Sequence, residues 1–95
     1  MLRISVTSSP EGTTIILEGR VVGAWVEELC NCWGHLRVSA ARPIRVNLDG
    51  VTFIDADGKA VLRAMHADRA VLTTTGVMMR AVVDEVTALP THPNR

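Results

Sequence analysis

The stretch IRVNLDGVTFIDADGKAVLRAM, Ile44 to Met65, changes its hydrophobic period in the middle. Ile44, Val46 and Leu48 alternate with Arg45 and Asn47, the period of a half-buried strand. Asp49-Gly50 signals a turn or bulge, and a β-branched and aromatic run then continues through Val51, Phe53 and Ile54. From Asp57 to Met65 the apolar residues fall at helical spacing, with Ala60, Val61, Ala64 and Met65 as the expected stripe. A strand that hands over directly to a helix excludes all-α and all-β architectures and requires an α/β packing.

The flanking segments extend this pattern. Leu2, Ile4 and Val6 alternate with Arg3, Ser5 and Thr7 as a strand would, SSPEG marks a turn, and TTIILEG reads as a second strand. Val22, Trp25, Val26, Leu29, Trp33 and Leu36 fit a helix starting near Gly23 and broken by SAARP, with Pro43 as the stop. Ala70 to Thr74 reads as a short strand, and Val77 to about Ala88 as a last helix with Thr75 or Gly76 near its start. The order is β-β-α-β-α-β-α. The expected fold is α/β, a small mixed sheet of about four strands with helices packed on it. Residues 1–90 are expected to form a single domain and 91–95 a disordered tail.

Composition narrows the function classes. With only Trp25, Trp33 and Phe53 as aromatics, the core must be mostly aliphatic. Ten basic residues balance ten acidic ones, so no basic field exists to hold a nucleic-acid backbone. The same balance leaves little repulsion against self-association and permits a weak homodimer. No apolar run reaches bilayer length and the start lacks a secretory pattern, so membrane insertion is not expected and the location is read as cytoplasmic.

The chemistry-bearing residues have structural readings. Asp55 can accept hydrogen bonds from the free N–H groups of Asp57 or Gly58, and Asp57 lies where the helix dipole favours negative charge. Gly58 permits close approach of backbone or a partner, and Lys59 can screen the acidic pair. A magnesium site on Asp49, Asp55 and Asp57 would need the three carboxylates to converge, and no other residue marks such a pocket. Cys30, Cys32 and His35 lack the second ligand pair of a structural zinc site. His66 reads as a C-terminal cap, and one of Met78 and Met79 as packing on the sheet. No nucleophile–base set or phosphate-cradling loop is present, so neither an enzyme nor a cofactor is expected.

The segment VNLDGVTFIDADGKAVL resembles the central motif of STAS domains, the anti-sigma-factor antagonist family. IILEGRV upstream and TTTGVMMRAVVDEV downstream resemble that domain's flanking parts, so the likeness spans about residues 2–90. The resemblance implies a non-catalytic bacterial protein in transcription regulation that binds an anti-sigma factor, often a kinase, and thereby frees a sigma factor. It places the partner-binding region at Phe53, Asp55, Ala56, Asp57, Gly58, Lys59 and Val61. Asp55 matches the motif's aspartate and Gly58 its glycine, while the phosphoacceptor serine falls at Ala56, which has no hydroxyl. Thr52, the nearest hydroxyl, lies within the strand and is a poor substitute. Either binding is constitutive, or Asp57 partly imitates the modified form with about one charge where phosphate carries about two. The alternative reading is a regulatory STAS-like subunit of an ABC-type transporter.

Overall fold

Strand β1 (Leu2–Ser9) folds back on β2 (Gly12–Val21) as an antiparallel hairpin. Helix α1 (Ala24–Ser39) then crosses to β3 (Ile44–Ile54), which lies parallel to β2. Helix α2 (Ala56–Ala67) crosses to β4 (Val71–Thr73), parallel to β3, and α3 (Val77–Thr87) follows. The sheet order is β1-β2-β3-β4, the mixed four-stranded arrangement expected from the periodicity. This computed structural model describes residues 1–88; the expected domain end at 90 and the tail at 91–95 lie outside them.

One face of the sheet carries the core. Ile15, Leu17, Ile44, Val46 and Leu48 are wholly buried there, against Val26, Leu29 and Trp33 of α1, Leu62 and Met65 of α2, and Met79, Val83 and Val86 of α3. The opposite face shows Arg3, Ser5, Thr14, Glu18, Arg45, Asn47 and Thr73, none of them buried. Such one-sided burial is why β1 reads as alternating rather than as a continuous apolar run. Thr13 is a polar residue in the core, and its hydroxyl is satisfied at 2.8 Å by the Ala41 carbonyl.

Strand β3 breaks its own alternation twice. Ile16 and Glu18 of β2 pair with Asn47 and Gly50, and Gly19 and Arg20 pair with Val51 and Phe53, so β3 holds one extra residue in each interval. The Asp49-Gly50 signal therefore marks a bulge inside a continuous strand, not a turn. Each bulge flips the side-chain phase, so Leu48, Val51 and Ile54 point inward three residues apart. The first bulge turns Val51 inward and the second restores the original phase, which leaves Phe53 on the open face, 49% exposed, where the Arg20 guanidinium lies 5.4 Å from its ring centroid.

The helices differ from expectation in phase rather than in place. Val22 precedes α1 instead of belonging to it, and Trp25 is partly exposed while Trp33 is buried. On α2 the buried stripe is Gly58, Leu62 and Met65; Ala60 and Ala64 face solvent, and Val61 is half-buried. A small residue carries too little apolar area to orient a helix against leucine, so Leu62 decides the rotation. On α3, Met79 packs into the core and Met78 stays exposed.

Leu48 is wholly buried under the helices. Leu48→Ala is expected to lower the unfolding free energy by about 2–5 kcal/mol, read from the urea midpoint at unchanged slope.

Candidate functional site

The junction of β3 and α2 is built around one carboxylate. Asp55 is the N-cap of α2, and its Oδ1 accepts a hydrogen bond from the Gly58 N–H at 2.8 Å. Its Oδ2 accepts from the Gly23 N–H at 3.2 Å, at the N-terminus of α1. Gly23 is the N-cap of α1 and contributes no side-chain cap of its own. Asp55 thus caps one helix and satisfies an N–H at the start of another, while its own N–H bonds the Val21 carbonyl at 3.2 Å.

Gly58 is buried in this corner. A Cβ there would stand 2.6 Å from Ile54 Cγ1 and 2.7 Å from the Val21 carbonyl oxygen. The close approach expected at Gly58 is made by the chain's own strands β2 and β3. Lys59 does not screen the aspartates; its Nζ pairs with Glu85 of α3 at 3.1 Å. Val61 packs half-buried against the core. Of the seven residues the sequence singled out, Asp55, Gly58, Lys59 and Val61 are engaged within the molecule. Ala56 and Asp57 face solvent in the first turn of α2, and Phe53 is exposed two residues before the cap.

Trp25, read from spacing as part of the apolar stripe of α1, is instead partly exposed near this corner. The Gly23–Asp55 bond brings the start of α1 to the start of α2, and Trp25 stands two residues beyond it, 39% exposed. No local signal marks that pairing, because the two residues lie 32 positions apart.

The other candidates separate from the corner. Asp49 Oδ1 accepts from the Thr75 N–H at 2.6 Å and from the Thr74 and Thr75 hydroxyls at 3.1 Å each. These bonds hold its carboxyl below the usual carboxylate range, the Thr75 N–H contributing most. Asp49 therefore ties the β4–α3 loop to β3 and does not converge with Asp55 and Asp57. No cluster of metal-ligating side chains forms among the described residues. Burial, with the Glu28 charge adding to it, pushes the Cys32 thiol up, while Cys30 is exposed. His66 lies exposed in the last turn of α2, where its carbonyl accepts the Arg69 N–H. Thr52 gives its hydroxyl to the Gly19 carbonyl at 3.3 Å.

No family model matches the chain, and no curated protein sequence does. Among solved structures it is similar to the anti-sigma factor antagonist SpoIIAA in its unphosphorylated form. The TM-score is 0.62 at 14% sequence identity, over 94% of this chain and 100% of that one. The likeness establishes a STAS-like fold, as the resemblance in VNLDGVTFIDADGKAVL implied.

Two predictions test the corner. Asp55→Ala loses both bonds and should cost about 2 kcal/mol in chemical denaturation, whereas Asp55→Asn keeps one acceptor oxygen and should cost about half as much. Gly58→Ala, forced against Val21 and Ile54, should cost about 1–3 kcal/mol by the same measurement. A third concerns pH. The folded state depresses the Asp49 pKa, so its contribution is present above the unfolded value near pH ~4 and is lost as pH falls through the folded value. The stability gap between wild type and Asp49→Ala should therefore be full at neutral pH and close in acid.

Proposed function

We propose that this protein is an anti-sigma factor antagonist without a phosphorylation switch. It binds an anti-sigma factor non-catalytically in the cytoplasm and so frees a sigma factor. The observation that supports this reading is the division of labour at the β3–α2 corner. Asp55 and Gly58 are used up in building it, and the residues left facing outward are Ala56 and Asp57. The α2 N-terminus offers a partner its backbone dipole, the Asp57 carboxylate and an apolar rim of Phe53 and Trp25. Lys59 and Val61, partly exposed behind that turn, form its inner border.

Position 56 sits where a hydroxyl would be accessible, and an alanine there accepts no phosphoryl group. Asp57 makes one fixed charge in the first turn, which the helix dipole accommodates. Binding in this reading is constitutive, set by the abundance of the two proteins rather than by a kinase.

Affinity purification of tagged protein from its own cell identifies the partner, and titration calorimetry with the purified partner measures the interaction. An ATPase-type anti-sigma factor supports the proposal; a transporter ATPase would favour the regulatory transport subunit instead. Wild-type protein incubated with ATP and that partner should gain no phosphate by mass spectrometry. Ala56→Ser should become an acceptor and, once modified, bind at least about ten-fold more weakly, a change of about 1.4 kcal/mol. Asp57→Asn removes a carboxylate that the surface offers and should weaken binding, whereas tighter binding would make Asp57 a mimic of the modified state. Phosphate on wild-type protein between Val51 and Lys59 would overturn the constitutive reading.

A further inference from the structure

The outer edge of β1 is the longest unpaired edge among the described strands. Its eight residues pair with β2 on one side only, whereas the other edge strand, β4, has three residues. The direction of its free groups follows from the hairpin. The Arg20 N–H bonds the Met1 carbonyl at 2.9 Å, in phase with the Leu2–Gly19 register, so Arg3, Ser5 and Thr7 direct their backbone groups to β2. Leu2, Ile4, Val6 and Ser8 therefore direct theirs outward. The strand has no proline, and Arg3 is its one charge, so little of the usual protection against edge pairing is present.

We infer that β1 is a self-association surface whose partner is the β1 strand of a second copy, paired antiparallel about Ser5. Only registers that set outward-facing residues opposite each other can form the ladder. Centring on Arg3 would set the two arginines face to face, and centring on Ile4 would set them on a close diagonal. Centring on Ser5 sets Arg3 opposite Thr7 of the second copy and separates the two arginines by about 14 Å along the strand. It also places Ile4 opposite Val6 of the second copy on the core-facing side. In the free chain Val6 is 43% exposed and Ile4 only half-buried, so this register covers the apolar surface that β1 leaves open. The zero formal net charge opposes none of this. The product is one sheet of eight strands with both helical layers on the same side. A single strand edge is a small interface, so the dimer is weak and concentration-dependent. The surface is separate from the β3–α2 corner, and this inference stands whether or not that corner binds an anti-sigma factor.

Sedimentation velocity over a wide concentration range, with amide hydrogen exchange at both ends of it, tests the inference on the intact protein. The expected result is a monomer–dimer equilibrium in which the Ile4, Val6 and Ser8 amides gain protection as dimer forms, while those of Ser5 and Thr7 are protected throughout. Val6→Lys should weaken the association by about ten-fold or more without unfolding the chain. In a Cys30→Ser, Cys32→Ser background, Ser5→Cys should cross-link readily under mild oxidation. The two residues would be directly opposed at a Cα separation of about 4.5 Å, within disulfide reach, and Thr7→Cys should not cross-link. A protein that stays monomeric at the highest concentration would overturn the inference. So would a dimer whose outward β1 amides remain unprotected, or equal cross-linking through Thr7→Cys.

Discussion

The arrangement of the molecule around its candidate surface depends on the carboxylate of Asp55. A helix start leaves N–H groups without partners, and two such starts meet at this corner. One aspartate serves both, with one oxygen on Gly58 and the other on Gly23. Because Gly58 carries no side chain, α2 can settle directly against Val21 and Ile54, and the carboxylate can reach across. The two features require each other: a larger residue at 58 would lift the helix start away from the strands that position Asp55.

The geometry shows how one motif can build the corner and still leave positions facing outward. Its aspartate and glycine face inward and fix the first turn of α2. The intervening positions, 56 and 57, are then held outward on a rigid support. A side chain placed there would have little conformational freedom left to lose on meeting a partner. With alanine at 56 the support persists while the hydroxyl chemistry is absent. A second clamp, Asp49 on Thr74 and Thr75, fixes the loop before α3 in a similar way. The Lys59–Glu85 pair is exposed and adds little stability, although it joins α2 to α3.

Much of the fold was legible from periodicity. Leu2, Ile4 and Val6, then Ile44, Val46 and Leu48, follow the two-residue rhythm of strands on a one-sided sheet. The helices declared themselves by Val26, Leu29 and Trp33 and by the acidic first turn at Asp57. The cap at Asp55 was legible too, because a carboxylate three residues before a free N–H needs no tertiary information. The rotation of α2 was misread: Ala60 and Ala64 fit helical spacing as well as Leu62 does, and spacing alone does not weigh buried area.

The sequence by itself determined the element order, the aliphatic core, the cap at the start of α2 and the lack of a hydroxyl at position 56. These are local matters of period, side-chain chemistry and backbone accounting. Only the tertiary structure decided that Asp55 also holds Gly23, that Trp25 stands beside the corner, and that Lys59 turns to Glu85. It also decided that Val51 faces inward, because a bulge in β3 shifts the alternation against β2. Each of those outcomes depends on which distant backbone lies alongside, and a periodic pattern read along one segment carries no record of its neighbour's register.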